Sequence, residues 1–252
     1  MSFIDLKLLE TIFSGIIVAV AFPIGALIAI YIPYSSSKRA LFAAFGAGVF
    51  FAATMLLTEQ ALALGNVLDL VLGFGLGAAT FGLAQHLIRH RHQSKDDAEP
   101  ERRRKQERSD GRLSIVGTVL DSVPETLFVG IIAFLNQPGL FAAVVVLFLG
   151  NLATTLEGAK IMHKQGMGKK QILRGWLADF GIVAIAAPIG YFLAGAVIND
   201  VLAVVLSFTA GTLIVFIAGE LIARAYREST GHSEDLSISA GFLIGVILLF
   251  VL

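Results

Sequence analysis

The feature that most constrains the fold of this chain is a series of long apolar runs separated by mostly short polar links. Eight runs reach or approach the roughly 20 residues that a helix needs to cross the hydrocarbon core of a bilayer. They are Phe13–Pro33, Leu41–Leu64, Val67–Ile88, Leu113–Phe134, Leu140–Met162, Ile172–Ile198, Leu202–Ala223 and Ile238–Leu252. Hydrophobic residues make up 56% of the chain and charged residues only 15%, whereas roughly 25% of a typical soluble domain is charged. The sequence therefore predicts an all-α membrane protein, with eight transmembrane helices in one bundle.

One link is long: RHRHQSKDDAEPERRRKQERSDGR, at residues 89–112. It has no apolar periodicity and mixes both signs of charge, which is typical of a mobile loop. We expect a single domain over residues 1–252, with this loop between the third and fourth helices. The first apolar run is too long for a cleaved signal peptide and lacks its basic start and cleavage site, so no leader is expected. The chain has no cysteine, which excludes thiolate metal sites.

The basic residues are distributed very unevenly over the links. Every Lys and Arg except Lys7 falls in or beside the first, third, fifth or seventh link. Because cytoplasmic links of membrane proteins carry an excess of Lys and Arg, the pattern predicts that these links, including 89–112, are cytoplasmic. Both termini are then extracytoplasmic. We place the protein in the cytoplasmic membrane of a bacterium or archaeon, surrounded by lipid.

The fourth run contains two acids in the stretch LDSVPETLFVG, residues 120–130. Asp121 and Glu125 lie one helical turn apart, and each ionised acid near the bilayer centre costs about 2.5–3.5 kcal/mol. No Lys or Arg lies in the core of a run to pair with them, whereas a divalent cation would remove their mutual repulsion. Pro124 frees the carbonyl of Leu120, and Ser122 adds a hydroxyl, so the stretch predicts an all-oxygen cation site. The alternative is a kinked helix whose acids are protonated and hydrogen-bonded.

The fifth run offers a partner stretch, GNLATTLEGAKI, residues 150–161. Glu157 is its acid, with Thr154 one turn before it and Asn151 a further turn back on nearly the same face. The short NQPG link makes the fourth and fifth helices antiparallel neighbours. Counting from that link places Glu157 a turn or two deeper toward the cytoplasm than Glu125. The predicted metal ligands are Asp121, Ser122, Glu125, Thr154 and Glu157.

Three histidines, His86, His90 and His92, form an HxxxHxH pattern where the third run meets the long loop. Histidines at positions i and i+4 can share a metal on one helix face. The pattern indicates either a weak metal-collecting site on the cytoplasmic side or a solvated basic helix end.

Several motifs of this chain resemble those of the ZIP family of divalent metal transporters. DSVPET resembles the HNxPEG motif of the family's fourth helix, and NLATTLEGA resembles its fifth-helix motif. AAFGAGVFFAATMLLTEQAL, at 43–62, is similar to the second helix, and AAPIGYFLAG, at 186–195, to the sixth-helix EPLGA segment. AGTLIVFIAGELIARA, at 210–225, is similar to the seventh helix. The eight runs, outward termini and His-bearing loop also match the family pattern.

The resemblance implies a transporter that moves a divalent metal into the cytoplasm by alternating access, with the metal as substrate and no organic cofactor. Glu220, on the family's seventh-helix acid, and Glu59 would be auxiliary positions along the path. Asp179 lies two turns before Ala187 and would either support the site or be an interfacial acid near Trp176. Similar transporters can dimerise, so a homodimer is a further expectation, whereas nucleic acid is not.

The chain also departs from the family pattern. Asp121 replaces the fourth-helix histidine and Ser122 its asparagine, Ala153 and Thr154 replace a His/Asn pair, and Ala187 replaces the sixth-helix glutamate. The sequence thus lacks several ligands of the family's second metal site.

Loss of imidazole shifts the expected preference from zinc toward manganese, magnesium or iron(II), because carboxylate, carbonyl and hydroxyl oxygens suit these ions. The rival hypothesis is a non-transporting ZIP-like scaffold or metal sensor. An enzyme is not expected, since HExxH and GxSxG are both absent.

Overall fold

The computed structural model describes residues 3–32, 35–93, 122–136, 139–228 and 233–251. Its helices are α1 (Phe3–Tyr31), α2 (Ser36–Leu64), α3 (Val67–Gln93), α4 (described over Ser122–Phe134), α5 (Leu140–Lys164), α6 (Lys169–Ala196), α7 and α8 (Ser233–Val251). Helix α7 comprises Asn199–Phe216, a π segment Ile217–Ile222 and final turns Ala223–Glu228. No strand occurs among these described residues, so the all-α prediction is confirmed.

Six of the described helices are long and apolar enough to cross a membrane: α1, α2, α3, α5, α6 and α7. The described part of α4 is a shorter apolar helix. The chain is therefore built as a helical membrane protein. The count of eight spans and the positions of the termini stay predictions.

The helix ends follow local chemistry. Ser35 caps α2 by accepting a hydrogen bond from the backbone N–H of Lys38, which satisfies one of the free donors of a helix start. Asn136 and Gly139 adopt positive φ angles of 53° and 88° and reverse the chain between α4 and α5. At the other end of the predicted long loop, α3 continues through Gln93. Residues 89–93 are thus helical rather than loop, and 94–112 lie outside the described residues.

Four helices form what we call the acid-bearing group: α1, α4, α5 and α6. Helix α1 packs extensively against α5 and α6. Helix α4 crosses α6 in backbone contact, because a Cβ on Gly130 would overlap the carbonyl of Ala187 and one on Gly190 would overlap the carbonyl of Leu127. Because these two glycines have no side chain, the backbones of α4 and α6 can lie in direct contact.

The other four helices, α2, α3, α7 and α8, form the companion group. Helix α3 packs along α7, and α2 packs along α7 and α8. Helix α5 of the acid-bearing group packs against α2 and, over a smaller contact, against α8 of the companion group. In the contact of α2 with α5 the Phe50 ring lies against Gly150, where a Cβ would come within 2.5 Å of it.

Helix ends rich in Lys and Arg meet at one end of the bundle, which we call the basic end. Lys160 of α5 donates to the carbonyl of Ala29 in α1 at 3.1 Å, and the Lys169 ammonium lies 4.7 Å from the Tyr31 ring centre. The described Lys and Arg residues other than Lys7 lie at this end. The charge separation on which the predicted orientation depends is therefore present in the folded bundle.

Candidate functional site

Glu125 lies in a buried polar patch of α4. Its side chain is 0% exposed, as are those of Ser122 and Thr126. The Thr126 hydroxyl donates to the Ser122 carbonyl at 2.8 Å, so its oxygen keeps lone pairs that can accept or coordinate. Asp121 and Leu120 lie outside the described residues, so the predicted Asp121–Glu125 pairing and the freed carbonyl stay predictions.

A hydrogen bond joins α4 to α5 at the level of this patch. The Ser122 hydroxyl donates to Asn151 Oδ1 at 3.2 Å, and both side chains are buried. Glu125 lies one turn from this bond toward the α4–α5 link. Glu157 lies six residues beyond Asn151 in the other direction, roughly 9 Å along the axis. The hydrogen bond therefore lies between the two glutamates in depth, and Glu157 is the nearer of the two to the basic end.

Glu157 lies at the meeting point of α5 with α1 and α6. Its side chain is 3% exposed. The next residue, Gly158, is covered by Trp176 of α6, whose ring atom Cζ2 would be 3.0 Å from a Cβ at that position. Thr154 donates to the Gly150 carbonyl at 3.0 Å, which leaves its hydroxyl oxygen as an acceptor. Glu157 and Thr154 thus both place a buried oxygen atom in α5 that could coordinate a cation.

Asn151 is the site residue that the sequence interpretation left out of its ligand set. It is 1% exposed, and its Nδ2 has no hydrogen-bond partner among the described residues. Reversing the amide would let Nδ2 donate to Ser122 and leave Oδ1 as an oxygen ligand. Its spacing from Thr154 and Glu157 is the sequence signal, but an amide in an apolar run indicates a ligand less strongly than an acid does.

Asp179 is a third buried acid of the acid-bearing group. It is 1% exposed on α6, and its Oδ2 has no hydrogen-bond partner among the described residues. It lies one turn after Trp176, whose indole stacks on Phe22 of α1 with ring centres 6.0 Å apart. This burial inside the protein favours a supporting role near Glu157 over the interfacial interpretation.

The remaining auxiliary candidates lie away from this interior. Glu59 is exposed on α2, and His86 is exposed near the end of α3. His90 and His92 follow on α3, with side chains outside the described set. Glu220 is partly buried and forms an ion pair of 2.5 Å with Arg224. Helix α7 continues past the apolar run and supplies Arg224, one turn later, as the basic partner of Glu220.

The positions that lack the family's ligands are used for helix packing. A Cβ on Gly46 of α2 would lie 2.9 Å from the Ala153 Cβ, and one on Gly15 of α1 would lie 2.8 Å from the Ala187 Cβ. Histidine at 153 or glutamate at 187 would need these helices to move apart. Ala153 and Ala187, which differ from the ZIP pattern, are therefore used for close helix contact.

Within the part of the chain that the structure describes, no group of three or more histidine or acidic side chains could hold a metal ion. The predicted set of three acids includes Asp121, which lies outside that part. The described residues supply two carboxylates, from Glu125 and Glu157, together with the neutral oxygens of Ser122, Asn151 and Thr154. Two buried carboxylates surrounded by oxygen donors can bind a hard cation.

An open cleft of about 330 Å³ reaches Glu157 from the basic end. It is lined by Glu157 and Ile161 of α5 and by Arg224 and Arg227 of α7. The cleft therefore lies between one helix of the acid-bearing group and one of the companion group.

Comparisons with known proteins assign no family to this chain: no protein-family model matches it, and no curated protein matches it either. The resemblance to ZIP transporters therefore rests on the motifs quoted above.

Proposed function

We propose that the chain is a membrane transporter that carries a divalent cation bound by Glu125 and Glu157. The observation that carries this proposal is the full burial of Glu125 within an apolar helical bundle. An ionised acid in that environment costs about 2.5–3.5 kcal/mol, and Glu157 adds a second such cost. A bound divalent cation offsets both costs at once.

The donor set favours a hard cation. Glu125 and Glu157 lie on opposite sides of the level of the Ser122–Asn151 hydrogen bond, roughly 13–14 Å apart along the helix axes, so a shared cation needs both side chains to extend toward that level. Asp121 precedes Ser122 in the chain. The proposed ligands are therefore oxygens only, which suits manganese, magnesium or iron(II) better than zinc. The ion is the substrate, and no organic cofactor is invoked.

The arrangement of the two helix groups supports transport by alternating access. The buried acids Glu125, Glu157 and Asp179 all belong to the acid-bearing group, and α5 of that group packs against α2 of the companion group. We infer that the acid-bearing group moves against the companion group and exposes the cation to each side in turn. In this proposal eight helices span the cytoplasmic membrane, both termini are outside, and the basic end faces the cytoplasm, where the cation is delivered.

The test is cation uptake into proteoliposomes containing the purified protein. Glu125→Ala and Glu157→Ala should reduce manganese uptake at least by the roughly 10–100-fold that loss of even an outer-shell partner costs a metal site. Asp200→Ala, which removes an exposed acid from the first turn of α7, is the matched control and should transport like the wild type. If the two site variants also transport like the wild type, the proposed site is wrong.

A non-transporting scaffold or metal sensor is the second candidate function. It is favoured by Ala153 and Ala187, which replace metal ligands of the ZIP pattern and pack tightly against Gly46 and Gly15. Such a protein would bind manganese through Glu125 and Glu157, or bind none, and would show no uptake above that of empty liposomes. Measuring binding and uptake on the same preparation separates the two candidates.

A further inference from the structure

The cleft at the basic end joins a buried carboxylate to two guanidinium groups. Glu157 is almost fully buried, Ile161 is half-buried one turn later, and Arg227 is exposed. All three line the same open cleft with Arg224. Among the described residues that line the cleft, Glu157 is the only acid and is almost fully buried, whereas both arginines come from α7.

Four basic residues lie on the two helices that line this cleft, and the first turn of α8 adds the acids Glu234 and Asp235 beside Tyr226. Arg224 is offset by its ion pair with Glu220. Arg227 adds a further cation, and Lys160 and Lys164 follow Glu157 on the last turns of α5. A cleft whose charges are mainly of one sign concentrates ions of the opposite sign and repels ions of its own.

We propose that this cleft is the water-filled mouth of the Glu157 site and that Arg224 and Arg227 make it unfavourable to divalent cations. A cation that leaves Glu157 toward the basic end is then released rather than held in the mouth. The part of this inference that concerns cations rests on the proposed function, whereas the access and the positive potential of the cleft do not.

The absence of cysteine from the chain allows a direct test of access and potential in purified protein. A single Ile161→Cys substitution places a thiol in the cleft. The rates at which this thiol reacts with an anionic and with a cationic methanethiosulfonate reagent are measured in neutral detergent. The ratio of the anionic to the cationic rate is then divided by the same ratio for a free thiol in solution, which corrects for the different reactivities of the two reagents. We expect the anionic reagent to be favoured about tenfold at low salt, and this preference should shrink as salt is added.

Second-site substitutions assign the preference to the arginines. Arg227→Gln should lower the ratio severalfold, Arg227→Lys should restore it, and Arg224→Gln should lower it further. Arg174→Gln removes an exposed charge of α6 at the same end and should leave the ratio unchanged. Gly168→Cys, an exposed thiol outside the cleft, should react readily and should not respond to Arg227→Gln.

Two results would overturn the inference. One is an Ile161→Cys thiol that does not react while Gly168→Cys does, which would mean that the cleft is closed to water. The other is a charge preference that Arg224→Gln and Arg227→Gln leave unchanged. The size-exclusion profile of each variant is recorded alongside, and only variants that elute like the wild type are compared, so that neither result can be attributed to loss of structure.

Manganese binding separates this inference from the proposed function. If the arginines repel the cation, Arg227→Gln should tighten Glu157-dependent manganese binding about three- to tenfold. Suppose that the thiol reagents show the expected charge preference but the wild type neither binds nor transports manganese. That result would refute the proposed function and would still support a positively charged cleft. Manganese uptake that depends on Glu157, with no effect of Arg227→Gln on reagent preference or affinity, would refute the charged mouth alone.

Discussion

The acid-bearing group and the companion group are packed alike but bury different chemistry. Both rely on backbone contact at glycines: Gly130 meets α6 in the first group, and Gly77 meets α7 in the second. The acid-bearing group buries Glu125 and Glu157 in its helix interfaces. In the companion group, buried hydroxyls such as Ser207 donate to their own helix backbone.

The comparison indicates a division of labour within one bundle. A hydroxyl that bonds its own helix needs nothing from a neighbour, whereas a buried carboxylate needs a partner or a ligand. Three buried carboxylates, those of Glu125, Glu157 and Asp179, lie in the acid-bearing group, whereas the companion group buries one among the described residues, that of Glu234 in the first turn of α8. Matched substitutions in the two groups can therefore separate loss of stability from loss of function.

The largest expected effect comes from removing a core aromatic residue in each group. Trp176→Ala and Phe216→Ala should each lower the free energy of unfolding by about 3–5 kcal/mol, because both side chains are buried and contact other aromatic rings. Only Trp176→Ala should also reduce manganese uptake per folded molecule, since Trp176 covers Gly158 beside Glu157. Thermal unfolding in detergent and uptake normalised to folded protein measure the two effects. Equal uptake losses in both variants would break the comparison.

The next largest effect concerns the glycine contacts. Gly130→Ala and Gly77→Ala should each destabilise the protein by about 1–3 kcal/mol through overpacking, because each new Cβ would overlap a backbone carbonyl of the neighbouring helix. Gly130→Ala pushes α4 from α6 and so displaces Glu125, whereas Gly77→Ala separates α3 from α7. We expect manganese affinity to fall only for Gly130→Ala, as measured by equilibrium binding. An unchanged affinity there would show that the position of α4 on α6 does not set the site.

The smallest effect comes from a pair of buried serines. Ser122→Ala removes the donor to Asn151 and leaves a buried amide oxygen without it, which should cost about 1–2 kcal/mol. Ser207→Ala removes only a bond to its own helix and should change stability by about 0.5 kcal/mol or less. Thermal unfolding of the two variants, measured side by side, gives the difference. Similar values for both would mean that the bond between α4 and α5 contributes little.

The apolar runs predicted the positions of the helices well and their ends less well. Helix α5 was predicted at Leu140–Met162 and occupies Leu140–Lys164. Helix α1 begins at Phe3 rather than Phe13, because a helix can start in the polar turns containing Lys7 and Glu10, before its apolar run begins. Hydropathy reports which residues prefer lipid, whereas helix ends depend on backbone hydrogen bonds that polar residues also make.

For the candidate site, the sequence indicated the acids and their relative depth but not their surroundings. The structure buries Glu125 and Glu157 and places Glu157 nearer the basic end, as predicted, but the Ser122–Asn151 bond between them puts them about two and a half turns apart in depth rather than one or two. The close packing of Ala153 and Ala187 could not be read from the chain, because it depends on which helices become neighbours. The cleft that joins Glu157 to Arg224 likewise depends on the approach of α5 to α7.

The π segment Ile217–Ile222 determines the direction around the helix axis in which the side chains of the last turns of α7 point. A π turn holds one more residue than an α turn, and one residue of an α-helix corresponds to a rotation of about 100°. Arg224 and Arg227 follow this segment, so they point in a direction that an uninterrupted α-helix would not give them. Deleting a single residue from the segment would turn both guanidinium groups away from Glu157 and preserve the charge of the chain. A shift of one residue in the register of α7, with no change of charge, is thus enough to remove both guanidinium groups from the cleft.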